Sequence, residues 1–178
     1  MSKLEKLTNL SIILVCLVLT GDFAYRRISA GAPIPTAKKL PAAKPAYAVG
    51  TPFPTLTNFR PEAGKRSLVL VVRDGCKFCD ASMPFYQRLA IMIKRTPGTE
   101  MVGVCLNPAD VCANYFGKNG VPVTRSVTAG TDKLKISGTP TLVLVDEQGR
   151  VDSVWVGQLP DVREQEVVSA LVGRMEPR

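Results

Sequence analysis

Residues 67–79 read SLVLVVRDGCKFC and contain the patterns of a strand, a turn and a helix start. The run Ser67–Arg73 consists mainly of leucine and valine, which is typical of a strand covered on both faces of a sheet. Asp74-Gly75 predicts a turn. A helix is expected from Cys76 to about Lys94, so the first cysteine of a Cys-x-x-Cys pair should lie at a helix N-terminus.

A dithiol at a helix start suits thiol-disulfide exchange. Free backbone N–H groups and the positive end of the helix dipole stabilise a thiolate at Cys76, and Lys77 adds a positive charge beside it. Cys79 follows Phe78 and lies within disulfide reach one turn later. The thiolate is the attacking species, so the pattern favours Cys76 as the nucleophile. Half of a zinc site and a structural bridge are the other interpretations of this motif alone.

The rest of the domain alternates between strand and helix patterns. The expected strands are Thr99–Leu106, Thr141–Asp146 and Arg150–Val156, and the expected helices run from Asn107 to about Gly117 and over Pro160–Val172. Glu147-Gln148-Gly149 joins the last two strands as a hairpin. The resulting order, β-α-β-α-β-β-α, predicts an α/β fold.

Two prolines add information to the cysteine motif. Pro84 lies five residues after Cys79, inside the expected helix, where proline kinks the axis. Residues 137–141 read SGTPT and come directly before an expected central strand, a position that proline normally avoids. A cis Thr139–Pro140 bond would account for it, because X-Pro is where the cis form costs least.

Together these motifs resemble the thioredoxin superfamily, and more narrowly its membrane-tethered, extracytoplasmic TlpA/ResA-type members. The resemblance covers about residues 48–173, and its matching elements are GCKFC at 75–79, Pro84, SGTPTLVLVDEQGRV at 137–151 and VGQL at 156–159. It implies a thioredoxin-like fold with a central mixed β-sheet flanked by helices.

The resemblance also implies roles for individual residues. Cys76 would be the nucleophile and Cys79 the resolving thiol. Pro140 would be a cis-proline facing the disulfide, and the Thr139 backbone would pair with a bound client chain. Gly75 departs from the family, which usually has tryptophan directly before the first cysteine.

A second departure concerns the proton of Cys79. Many relatives place a buried carboxylate on the strand before the motif, whereas Ser67–Val72 contains no acid. The group that accepts the proton from Cys79 is therefore not identified by the resemblance. Asp74 and Asp80 are the nearest candidates in the sequence.

A second cysteine pair, Cys105 and Cys112, is not part of the family signature. Cys105 ends an expected strand and Cys112 lies about one turn into the next helix, so a disulfide is geometrically possible. A structural bridge, two buried free thiols, and a second redox relay or a metal site shared with the first pair are the alternatives.

The N-terminal third is expected to lie outside the folded domain. Residues 1–30 are predicted to be a membrane anchor, with residues 7–25 as its spanning part. A cleaved signal peptide, ending near Ala30-Gly31-Ala32, is the alternative. Residues 31–47 predict an extended Pro/Ala/Lys linker, and residues 48–178 the thioredoxin-like domain. That domain is expected on the periplasmic side, either anchored or released by cleavage.

Charge and composition exclude several functions. The net charge of +8 arises mainly in residues 1–47, which contain seven basic and two acidic residues. The charge therefore lies beside the apolar segment rather than on a folded surface, and nucleic acid is not an expected partner. Histidine is absent, which excludes Cys/His and Ser/His catalysis and removes the commonest ligand of catalytic zinc.

The sequence therefore predicts an enzyme, a thiol-disulfide oxidoreductase that works through a mixed disulfide. Its partners would be client proteins with thiols or disulfides and a redox-partner protein. No organic cofactor or metal is expected, because the two sulfurs carry the two electrons. The alternative function is a thioredoxin-fold module that carries a soft metal ion on the same dithiol.

Overall fold

The computed structural model of the chain describes residues 16, 20, 47–129 and 134–173. The chain divides into two compact units, residues 1–41 and 42–178. The predicted anchor and linker thus lie outside the described residues, except for Cys16, Thr20 and Tyr47. Cys16 and Thr20 are helical, and the Thr20 hydroxyl donates a hydrogen bond to the Cys16 carbonyl at 2.7 Å. No helix in the described part is long and apolar enough to cross a bilayer.

The second unit contains five strands and four helices within its described residues. The strands are β1 (Arg66–Val72), β2 (Thr99–Cys105), β3 (Arg125–Thr128), β4 (Thr141–Val145) and β5 (Val151–Val156). The helices are α1 (Lys77–Lys94), α2 (Ala109–Cys112), α3 (Tyr115–Lys118) and α4 (Asp161–Val172). The strands form one sheet in the order β3-β2-β1-β4-β5, with β1 at its centre.

The sheet is mixed. β1 pairs in parallel with β2 and antiparallel with β4, while β2 pairs in parallel with β3 and β4 antiparallel with β5. The parallel β1–β2 pair places the C-terminal ends of both strands at the same edge. The predicted fold class, a central mixed sheet flanked by helices, is confirmed.

Two hydrophobic cores cover the two faces of β1, whose seven residues are all buried. Successive side chains of a strand point to opposite faces. Leu68 and Leu70 accordingly pack with α1 and α4, whereas Val69 and Val71 pack with aromatic residues that precede the sheet. Burial on both faces explains why β1 is a continuous apolar run.

The segment before β1 extends the fold further toward the N-terminus than the sequence indicates. Tyr47, which the predicted linker included, is only 7 % exposed and stacks on Phe53 with ring centroids 5.7 Å apart. Its hydroxyl accepts a hydrogen bond from the Lys135 backbone N–H at 3.0 Å. Tyr47, one residue before the predicted boundary between residues 47 and 48, is thus part of the buried core.

Two further expectations are corrected. The helix expected from Asn107 to Gly117 is two short helices, α2 and α3. Strand β3 was not expected, because four residues of sequence RSVT with a single buried side chain, Val127, carry almost no periodic signal. The other elements agree with the sequence analysis to within one or two residues.

Candidate redox site

Cys76 lies immediately before α1, as its N-cap. The backbone N–H of Cys79 donates a hydrogen bond to the Cys76 sulfur at 3.3 Å. Gly75 precedes it with φ +72°, a left-handed conformation that is costly for residues with a Cβ atom. Glycine suits this position because it adopts such a conformation without the steric cost of a Cβ atom.

The loop before β4 meets the Cys76 sulfur from the other side. The Thr139–Pro140 peptide bond is cis. The Thr139 carbonyl oxygen and hydroxyl oxygen each lie 3.5 Å from the Cys76 sulfur. Pro140 is buried, and its carbonyl accepts a hydrogen bond from the Gly157 N–H at 2.7 Å. The structure thus brings Thr139, the residue before the cis-proline, to Cys76 from 63 residues away in sequence.

The two thiols of the pair differ strongly in acidity. Burial acts to raise the pKa of Cys76, but hydrogen bonds from the Cys79 thiol, the Thr139 side chain and the backbone outweigh it and lower the pKa. Cys79 is fully buried, and burial together with the hydrogen bond to Cys76 raises its pKa to about 12. Cys76 is therefore the more acidic thiol of the pair.

The remaining residues around the motif are exposed. Phe78 is 45 % exposed, and the Lys77 ammonium lies 5.0 Å from the centre of its ring. The main causes that lower the pKa of Cys76 are hydrogen bonds, and Lys77 is not among them. Asp74 and Asp80, the candidate proton acceptors for Cys79, are both exposed.

Cys105 and Cys112 form a disulfide. Both residues are buried, with exposures of 0 % and 2 %, so their sulfurs do not face solvent or a client. This geometry corresponds to the structural bridge among the alternatives for this pair. Where the structure describes the chain, it also places no three histidine, cysteine, aspartate or glutamate side chains close enough to hold a metal ion.

Two neighbours of the site were not identified from the sequence. Asn107 accepts a hydrogen bond from the Asp74 backbone N–H through its side-chain oxygen at 2.7 Å. Tyr115 is 4 % exposed, and its hydroxyl has no hydrogen-bond partner among the residues that the structure describes. Burial raises the pKa of Tyr115, and the negative charge of a Cys79 thiolate would raise it further. Neither residue belongs to a sequence motif. The only sequence feature that could have placed either residue near the site is the position of Asn107 directly after an expected strand.

Known proteins resemble this chain in structure but not closely in sequence. The sequence matches no protein-family model and no curated protein. A thioredoxin-family thiol:disulfide interchange protein from Chlorobium tepidum aligns with TM-score 0.53 and 21 % identity, over 70 % of this chain and 98 % of its own. The chain has a thioredoxin fold.

Two other solved structures support the same fold. StoA from Bacillus subtilis aligns with TM-score 0.50 and 17 % identity, over 71 % of this chain and 98 % of its own. A secreted thiol-disulfide isomerase from Corynebacterium glutamicum aligns with TM-score 0.51 and 16 % identity, over 62 % of this chain and 71 % of its own. The resemblance to the thioredoxin superfamily is therefore confirmed at the level of fold.

Proposed function

We propose that this chain is a thiol-disulfide oxidoreductase that acts on protein disulfides through Cys76 and Cys79. The observation that carries the proposal is the difference between the two thiols. Cys76 is partly exposed with a lowered pKa, whereas Cys79 is fully buried with its pKa raised to about 12. A reactive outer thiolate and a protonated inner thiol are the two states that stepwise exchange requires.

The reaction proceeds in two displacements. The Cys76 thiolate attacks one sulfur of a client disulfide, a Cys76–client bond forms, and the other client sulfur leaves as a thiolate that takes up a proton. Cys79 then loses its proton and attacks the Cys76 sulfur. The pair ends as a disulfide, the client ends as a dithiol, and two electrons have passed to the client. The reverse sequence oxidises a client dithiol.

The surface around Cys76 offers contacts for an extended client segment. Phe78, two residues after Cys76, exposes an apolar ring, and Thr139 contacts the Cys76 sulfur. We infer that a client chain lies between these two residues, with its disulfide over Cys76. A redox-partner protein with a comparable segment would restore the pair at the same surface.

Metal transport by the dithiol is a weaker candidate. A soft ion on two cysteines binds both as thiolates. The pKa of about 12 at Cys79 opposes the second thiolate, and Cys79 is inaccessible to solvent.

Trapping with paired variants tests the proposal. Cys79→Ser leaves the nucleophile without its resolving thiol and should accumulate mixed disulfides with client proteins, whereas Cys76→Ser should accumulate none and lose exchange activity. Both variants are compared after acid quenching and non-reducing electrophoresis. Accumulation by Cys76→Ser instead of Cys79→Ser would reverse the two roles, and accumulation by neither would refute the proposed activity.

We further propose that the domain works outside the cytoplasm, anchored through residues 7–25 or released after cleavage. The secreted isomerase from Corynebacterium glutamicum and the Cys105–Cys112 disulfide support an oxidising compartment. A membrane-impermeant thiol reagent, applied to intact cells after mild reduction, should label Cys76. Labelling that requires lysis would place the domain in the cytoplasm.

A further inference from the structure

The turn that carries the redox pair is anchored to the neighbouring strand by a side chain. β1 and β2 end side by side, and one more rung follows, in which the Leu106 N–H donates to the Val72 carbonyl at 3.0 Å. Beyond that rung, the Asn107 side-chain oxygen accepts the Asp74 N–H at 2.7 Å. Asp74 is exposed, and this hydrogen bond ties its backbone to β2 two residues before Cys76.

The disulfide restrains the segment that contains Asn107. Cys105 is the last residue of β2 and Cys112 the last residue of α2, and the two are seven positions apart. Asn107 lies inside this small covalent loop. Because both cysteines are buried, the bond cannot exchange with a client while the domain is folded. Its effect is to fix the path of the chain from β2 to α2, and with it the position of Asn107.

The end of β1, from which the anchored turn leads, lies near the resolving thiol, because Val72 and Cys79 belong to one buried hydrophobic cluster. A backbone hydrogen bond from Arg73 lowers the pKa of Cys79, against the larger opposing effect of burial. The Arg73 N–H belongs to the peptide whose Val72 carbonyl accepts the Leu106 N–H at 3.0 Å. The hydrogen bond to Asn107 fixes the next peptide, so the two bonds together hold the turn beside the Cys79 sulfur. A contiguous path therefore runs from the disulfide through Asn107 and the turn to Cys79.

We propose that Asn107, restrained by the Cys105–Cys112 disulfide, is a positioning residue that speeds the attack of Cys79 on the mixed disulfide. The inference rests on the proposed function. In this step Cys79 loses a proton, the Cys76–client bond breaks, the Cys76–Cys79 bond forms, and the departing client sulfur accepts a proton. The preceding attack by Cys76 depends on hydrogen bonds from Thr139 and the α1 backbone, which Asn107 does not contact.

Reaction of the reduced protein with the aromatic disulfide 5,5′-dithiobis(2-nitrobenzoate) separates the two steps. The first thionitrobenzoate is released when Cys76 attacks, and the second when Cys79 displaces the mixed disulfide. Asn107→Leu should slow the second release about tenfold, the effect of losing one hydrogen bond, and leave the first within about twofold of wild type. Asn107→Asp keeps the acceptor oxygen and should restore most of the second rate.

A double-mutant comparison tests the part played by the disulfide. The second release should be slower in the Cys105→Ala, Cys112→Ala double variant than in wild type. Adding Asn107→Leu to this variant should slow the second release little further, because both changes remove the same restraint. Thermal unfolding of each variant identifies any that fails to fold. The Asn107 series retains the disulfide and tests the positioning role by itself.

Each outcome decides a stated part of the inference. The positioning role would be overturned if Asn107→Leu slowed both releases equally or slowed neither. It would also be overturned if the second release in Asn107→Asp were as slow as in Asn107→Leu. If the Cys105→Ala, Cys112→Ala variant gave the second release at the wild-type rate, the disulfide would have no part in positioning Asn107. The assay needs no protein client, so a wild type that shows both releases but traps no client refutes the proposed function without deciding this inference.

Discussion

The hydroxyl of Thr139 donates a hydrogen bond to the sulfur of Cys76 at 3.5 Å. This contact joins the loop before β4 to the start of α1, and it is one of the interactions that lower the pKa of Cys76. Thr139 therefore does more than border the proposed client surface, because its side chain also favours the thiolate form of Cys76.

Removal of that hydroxyl should raise the pKa of Cys76. Thr139→Val keeps the shape of the side chain but cannot donate to the thiolate. We expect the alkylation rate of the reduced protein at neutral pH to fall about tenfold, as for loss of one hydrogen bond to a charged group. At pH values well above the Cys76 pKa the variant and wild-type rates should converge. The measurement is the pH profile of iodoacetamide alkylation, in which buried Cys79 takes little part.

Two variants serve as controls for this profile. Thr139→Ser retains the donor and should behave as wild type. Thr141→Val removes a hydroxyl that donates to the Gly138 carbonyl at 2.7 Å rather than to Cys76, so the alkylation profile should stay unchanged. A shift in Thr141→Val equal to that in Thr139→Val would show that the effect arises from the loop and not from the hydrogen bond.

The turn before Cys76 allows a test of backbone strain. Gly75 has φ +72°, and a Cβ atom there would meet no atom within 4 Å. Gly75→Ala should therefore lower the free energy of unfolding by about 1–2 kcal/mol through the backbone alone. Gly138→Ala is the matched control, since its Cβ would lie 3.9 Å from Val156, an ordinary contact. Urea unfolding measures both, and equal losses would contradict the explanation given for glycine at this position.

The sequence was sufficient for four of the five described strands and for the position of Cys76 and Cys79 at the start of a helix, because both leave local signals. β1 is buried on both faces and is therefore apolar throughout, and Cys76 and Cys79 share one turn of helix. β3 left no such signal, since it is short and mostly exposed. Asn107 and Tyr115 reach the site only through the pairing of β1 with β2 and the packing of α3, relationships between distant segments that a local pattern does not contain.

Tyr47 was assigned to the linker for a related reason. Its neighbours on the N-terminal side are proline, alanine and lysine, a composition that predicts a linker. The residue is buried because Phe53 and the backbone of Lys135 lie beside it in the folded domain. The local composition predicts that the segment before Tyr47 is a linker, but it contains no information about the residues onto which the Tyr47 ring packs.

Two buried tyrosines should respond in opposite directions to loss of the hydroxyl. The Tyr115 hydroxyl is buried without a partner, so Tyr115→Phe should stabilise the domain by about 1 kcal/mol. The Tyr47 hydroxyl accepts the Lys135 N–H, so Tyr47→Phe should destabilise it by about the same amount. Chemical denaturation of the oxidised proteins measures both. Destabilisation by Tyr115→Phe would reveal a hydrogen bond that its hydroxyl makes in solution.

The position of Tyr47 also predicts where the chain can be shortened. A chain that begins at residue 42 retains the contacts of Tyr47 with Phe53 and Lys135 and should give a soluble, cooperatively unfolding domain. A chain that begins at residue 48 lacks the ring that stacks on Phe53 and should lose about 2–3 kcal/mol of unfolding free energy, the value of one large buried side chain. Tyr47→Ala in the longer chain is the matched control and should reproduce that loss. If the two chains unfold at the same urea concentration, Tyr47 contributes nothing to the core, and the boundary expected from composition is the correct one.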